Sequence, residues 1–188
     1  MKNLKKLLAV VIVAAMMITT MLPAMAAKIE NAAEANALHA LGLYQGTSTT
    51  GFEPALDQPL TREQGAAMLI RLLGEEALAK ALSSSDVSAT LVIFSDVDAI
   101  SDWARPYVAY GVRESLIAGN ANGTFNPQGP LLGKDFATMI LRALGYTVNA
   151  STYEAAAAEL AKAGGLDMGT AVVVNNKELT RDDMVGMA

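Results

Sequence analysis

The sequence predicts a mostly α-helical protein made of three helix-loop-helix units, and three observations carry that prediction. Apolar residues recur at helical spacing in successive windows, as in Trp103, Tyr107, Val108, Val112 and Leu116. Alanine is abundant while aromatic residues make up only 5% of the chain, which favours closely packed helices over a sheet. The stretch 94–146 is echoed on either side of itself, and self-similarity at a period of tens of residues is the signature of a repeat architecture.

Taken in order, the chain opens with Lys2, Lys5 and Lys6, an uncharged apolar run from Leu7 to Leu22, and Ala24-Met25-Ala26, a small-x-small cleavage pattern. We expect residues 1–26 to be a secretory signal removed near Ala26, because 16 apolar residues fall short of the roughly 20 that a membrane helix needs. Its loss takes three lysines, leaving 11 basic against 19 acidic side chains and a net charge of −8. That balance argues against nucleic acid as a partner, which requires a basic face. Cysteine is absent, so disulfides, thiolate metal sites and cysteine catalysis are excluded.

Unit one spans 27–82. Ile29, Ala32, Ala33, Leu38 and Leu41 predict a helix over Lys28–Gly42, with Glu30 standing where unit two has Trp103. His39, the only histidine, lies mid-helix without the neighbours a metal or general base would want, and reads as structural or surface. Thr61-Arg62-Glu63-Gln64 fits a capping box opening a second helix that ends at Leu73-Gly74. Residues 83–93 read as a linker: Ser83-Ser84-Ser85-Asp86 as loop, Leu91-Val92-Ile93-Phe94 as a short β-prone run.

Unit two, 94–146, is the most complete. A helix from Trp103 to Leu116, capped by Asp102, leads into Gly119-Asn120-Ala121-Asn122-Gly123, where glycine and asparagine allow a tight reversal. Phe125-Asn126-Pro127 closes the loop, and a second helix runs from Gly133 to Leu144-Gly145. Asp96, Asp98 and Asp102 lack the glycine and glutamate spacing of an EF-hand and do not read as a calcium site.

Unit three covers 147–188. Tyr153 follows Trp103 by 50 residues, Gly169 follows Gly119 by 50, and Leu179-Thr180-Arg181-Asp182 repeats the earlier helix start. Gly46 to Pro54 repeats the interval of Gly119 to Pro127. The last helix is short against its counterparts, so we expect the chain to be part of a longer secreted protein.

These pieces, Phe94-Ser95-Asp96-Val97, Trp103-Ala104, Gly119, Asn122 to Pro127 and the Leu-Thr-Arg-acidic helix starts, resemble the S-layer homology family over nearly all of the mature chain. The resemblance implies three repeats about a pseudo-threefold axis, a central three-helix bundle of the first helices with three prongs, and grooves between repeats that bind an acidic, pyruvylated secondary cell-wall polysaccharide. It implies a secreted protein at the bacterial cell wall or S-layer, with no cofactor, metal or catalytic role and no membrane contact after cleavage.

Arg62 and Arg181 each stand at a helix start, where free backbone N–H groups and a guanidinium suit an anion. Carried over by position, the resemblance names Arg62, Glu63 and Gly46 in unit one, Trp103 and Gly119 in unit two, and Tyr153, Gly169, Arg181 and Asp182 in unit three. In unit two Gly133-Lys134-Asp135 replaces Thr-Arg-acidic, which should leave a weaker anion site. An alternative function is assembly with surface-layer subunits without glycan; a hydrolase is disfavoured because no carboxylate pair stands in an aromatic-rich context.

Overall fold

The computed structural model describes residues 31–48 and 50–187, so the expected signal, its cleavage site and the position of Glu30 lie outside the described residues. Helix α1 spans Ala32–Ala40, α2 Arg62–Leu72, α3 Glu76–Lys80 and α4 Ser84–Leu91. After a 3₁₀ turn at Val97–Ala99 come α5 Arg105–Arg113, α6 Gly133–Ala143, α7 Ala150–Glu154, α8 Ala156–Lys162, α9 Met168–Val174 and α10 Arg181–Met187. The fold is mostly α, and among the described residues extended pairing is limited to isolated bridges.

Those bridges organise the molecule. The Leu60 N–H donates to Leu179 O at 3.0 Å, Leu179 to Leu131 O at 2.8 Å, and Leu131 to Leu60 O at 2.9 Å, closing a ring of three bonds. All three leucine side chains are fully buried, so the ring is sealed from water by its own residues. Each leucine stands just before the N-cap of the second helix of its segment: Thr61 before α2, Leu132 before α6, Thr180 before α10.

A second set of bonds runs around the ring the other way. Arg62 and Glu63 donate their N–H groups to Gly129 and Pro127, Gly133 and Lys134 to Lys177 and Asn175, and Arg181 and Asp182 to Gln58 and Leu56, all within 3.1 Å. The first-turn donors that a helix leaves orphaned are thereby taken up by the loop of the next segment. Packing repeats the step: α2 lies against α5, α6 against α8, and α10 against α1.

Several elements depart from the sequence reading. The second helices, not the first, are the more deeply buried: α2 hides nine of its eleven residues, because apolar side chains surround it on every side. Among the described residues, packing between segments sets a second helix against a first at α2–α5, α6–α8 and α10–α1. Residues 83–93 hold a helix, with Ser83 accepting from the Asp86 N–H as its cap, while Val92 and Ile93 are exposed and no strand forms. Asp102 caps nothing: its exposed carboxylate sits 3.5 Å from Arg105, and α5 starts two residues later than the apolar pattern suggested.

Other local readings hold for clear reasons. Thr61 and Gln64 form the reciprocal capping box. Asp96 accepts from the N–H groups of both Phe125 and Asn126 at 2.7 Å, so it anchors the end of the glycine-rich loop. His39 stacks on Phe52 with ring centroids 3.8 Å apart and hydrogen-bonds Tyr44 O, a structural role.

The α2–α3 corner carries a compact polar clamp. Glu76 receives the Tyr107 hydroxyl at 2.5 Å, Lys80 at 2.9 Å and Arg71 at 3.2 Å. Burial works against its ionised form, but these donors outweigh it and hold the carboxyl down to about 2. A depressed carboxyl contributes stability that is present above its unfolded value of 4.5 and lost as pH falls towards 2.

Two outcomes follow. Leu131→Ala removes a buried side chain from the ring and should lower unfolding free energy by about 2–5 kcal/mol in urea titration. Wild type should lose stability more steeply than Glu76→Gln between pH 4.5 and 2, measured as melting temperature across that range.

Candidate functional site

The ring brings three segments to one groove of about 330 Å³. Segment one contributes Arg62, segment two Gly119, Asp135 and Arg142, and segment three Tyr153. The floor is the face of α6 bearing Asp135, Thr138, Met139 and Arg142; the rim is formed by 118–121 and 148–150.

Arg62 enters from the first turn of α2 and is almost completely buried. Its guanidinium pairs with Asp135 at 2.9 Å, donates to Phe125 O at 2.9 Å and to Ala118 O at 3.4 Å, and lies over the Phe125 ring. The charge is therefore neutralised inside the protein. Asp135 also accepts from the Tyr153 hydroxyl at 2.8 Å. Burial first, and then the bond to Asp135 and its negative charge, push Tyr153 up to about 12, so its phenol keeps the proton and serves as donor.

Gly119 is needed where it stands: an added Cβ would meet the Phe94 ring at 2.6 Å and Thr124 O at 2.8 Å. Gly46 occupies the same loop position in segment one, at φ +68, with Glu53 O 2.3 Å from where a Cβ would be. Nearby, burial pushes the Tyr44 hydroxyl above its ordinary value against the opposing pull of Arg181. Among the described residues no carboxylate forms an ion pair with Arg181, and its Nε is buried without a hydrogen-bond partner.

The remaining expected residues fall elsewhere. Glu63 is buried and spends both oxygens on the N–H and hydroxyl of Ser101, at 3.0 and 2.7 Å, so it is not open to sugar hydroxyls. Asp182 binds Asn31 through its carboxylate and its carbonyl. The two carboxylates do the same job, tying one segment to the start of the next. Trp103 is half exposed beside Tyr107 and does not line the groove. Gly169 lies in the first turn of α9 and not in a loop, because Asp167 caps a helix there.

The register of unit two is also corrected. The leucine ring aligns Gly133, not Lys134, with Arg62 and Arg181, and Lys134 with Glu63 and Asp182. Glycine is required at that start since a Cβ would meet Val174 O at 1.9 Å. Lys134 reaches out of the helix start to Glu154 at 2.8 Å and lies over the Tyr153 ring. At each of these helix starts the first two backbone N–H groups are taken up by a neighbouring loop and the third by the residue that caps the helix.

Sequence reasoning missed Thr138 and Arg142. The usable signal was the matched pair Ile70-Arg71-Leu72 and Leu141-Arg142-Ala143, whose arginines occupy the same turn of α2 and α6.

Fold and groove together define a helical domain whose three ring-linked segments enclose a polar cleft. Residues 93–137 match the family model described as the S-layer homology domain, and that segment belongs to the family. Its relatives include a cell surface protein of Thermoanaerobacter kivui, 35% identical over 78% of this chain and 19% of that protein. A middle cell wall protein of Brevibacillus brevis is 29% identical over 90% of the chain and 15% of its own length, and a surface-layer 125 kDa protein of Lysinibacillus sphaericus 30% identical over 64% and 9%. The chain thus spans a fifth or less of these curated relatives. The family and its relatives place the chain among bacterial cell-surface and cell-wall proteins.

Removing one member of a buried ion pair strands the other. Asp135→Ala should therefore destabilise the fold by about 3–5 kcal/mol in urea titration, whereas Arg62→Met with Asp135→Leu should recover most of that loss.

Proposed function

We propose that the domain anchors a surface protein to the bacterial cell wall by holding an acidic wall polysaccharide, with the pyruvylated polymer as the preferred class. The groove between segments carries this reading: it gathers a guanidinium, a tyrosine ring and a close-packed glycine loop from three parts of the chain into one cleft. Tyr153 and the small residues of the 118–121 rim offer a surface for the C–H face of a sugar, and Asn120 adds a polar edge. Arg181 supports a second contact point. Its counterpart Arg62 is neutralised by Asp135 at the third position of the next segment's helix, but the same step around the ring from Arg181 leads to neutral Gln64. The Arg181 charge is therefore left for a ligand carboxylate.

A second reading, assembly with surface-layer subunits, is favoured by one feature: Met168, Val172 and Val173 are exposed together on α9.

Filling the groove from its rim with Ala150→Trp, combined with Arg181→Ala, should abolish co-sedimentation with purified wall polysaccharide while circular dichroism stays helical. Undiminished sedimentation by the folded variant would end the anchoring reading. Retention on walls stripped of the polymer would transfer support to subunit assembly.

A further inference from the structure

Asn122-Gly123 is the single Asn-Gly step of the chain, and it closes the loop whose residues 118–121 form the groove rim. Both residues are exposed, and nothing lies within 4 Å of where a Gly123 Cβ would stand, so the Gly123 nitrogen is open to approach. Asn122 Oδ1 accepts from the Thr124 N–H at 3.1 Å and the Thr124 hydroxyl at 2.7 Å, whereas among the described residues its Nδ2 makes no hydrogen bond. Two donors thus polarise the side-chain carbonyl, and the amide group that could leave is unheld. The other asparagines lack this combination. Asn149 Oδ1 also accepts from Ser151 and Thr152, but Ala150 follows it; Asn126 precedes Pro127, which has no N–H.

The loop around this step is held unevenly. Downstream, the Ser95 N–H donates to Gly123 O at 2.9 Å, and Asp96 takes the N–H groups of Phe125 and Asn126, both at 2.7 Å. Upstream, the turn depends on two bonds through Asn120: its carbonyl receives the Gly123 N–H at 3.0 Å, and its N–H donates to Thr124 O at 2.7 Å. An extra main-chain atom between residues 122 and 123 would therefore be absorbed upstream, through Asn120 and into the rim. Gly119 has no room for even a methyl group against Phe94, so the rim has to move away from that ring.

We propose that Asn122 is a self-modifying site: it converts to isoaspartate with water as the only co-reactant, and the product displaces the groove rim at 119–121. The Gly123 N–H first leaves Asn120 O and gives up its proton to solvent. The nitrogen then attacks Cγ of Asn122, and the charge formed on Oδ1 is met by the two Thr124 donors. The Cγ–Nδ2 bond breaks, and Nδ2 leaves as ammonia after taking a proton from water. Water opens the resulting succinimide ring at either carbonyl. Opening at the side-chain carbonyl gives aspartate; opening at the main-chain carbonyl gives isoaspartate, which carries one more carbon in the backbone. One water enters and one ammonia leaves, with no change of oxidation state. That a displaced rim weakens anchoring rests on the glycan reading above, whereas the chemistry does not.

The test is incubation of the purified protein in mildly alkaline buffer, followed by peptide mass spectrometry, isoaspartate-specific enzymatic methylation, amide exchange at Asn120 by NMR and co-sedimentation with purified wall polysaccharide. Asn122 should gain about 1 Da before Asn120 or Asn149 does, and faster as pH rises, because the attacking nitrogen must lose its proton. Thr124→Val should slow conversion about 3- to 10-fold, the worth of one hydrogen bond. In aged wild type, Asn120 exchange should quicken and sedimentation should fall in step with isoaspartate. Freshly prepared Asn122→Asp, which has the charge but the ordinary backbone, should behave as fresh wild type in both. Asn122 persisting as long as Asn149, or Thr124→Val converting as fast as wild type, would overturn the site. Isoaspartate that leaves Asn120 exchange unchanged would overturn the rim displacement. Fresh wild type that ignores the polymer while the conversion and exchange results hold ends the anchoring reading alone.

Discussion

Three backbone hydrogen bonds among Leu60, Leu131 and Leu179 fix everything else in the molecule. They are short, dry and mutually dependent, because each leucine both gives and receives. Once they are made, the three second helices must start at one level, and their first-turn N–H groups face the neighbouring loops. The groove is a consequence of that level start: Arg62 from one helix start and Asp135 from the next meet across a junction that no single segment contains.

The same geometry shows why charge in the site has to be counted around the ring and not along the chain. Among the described residues, Arg62 finds an acid because the next segment has Asp135 at the third helical position, whereas Arg181 has Gln64 at the corresponding place. Arg71 finds Glu76 within its own segment, and among the described residues Arg142 has no such neighbour. Segments of similar shape therefore differ in electrostatics, and for Arg62 and Arg181 the deciding residue lies in a different segment from the cation. One shared shape can carry several binding characters.

Much of the fold was legible. The helical spacing, the Thr61 and Gln64 box and the glycines Gly46 and Gly119 of the two loops were readable because each depends on local chemistry. The one-residue register at Gly133 was not, since Leu131 and Leu132 both fit the apolar pattern and only the long-range ring chooses between them. Gly169 matched by spacing, but the Asp167 cap turned its loop into a helix. The roles of Glu63 and Asp182 were hidden for a similar reason: their partners, Ser101 and Asn31, are remote in sequence. Arg62 read as a ligand contact because nothing local reveals that its counter-ion is 73 positions away.

The clasp between Asp182 and Asn31 has a topological consequence. It joins residues 151 positions apart with the same kind of contact that Glu63 makes to Ser101 within the continuous chain, and Gly186 also lies close to Asn31. The order in which the polypeptide visits the three segments is thus incidental to the closed shape.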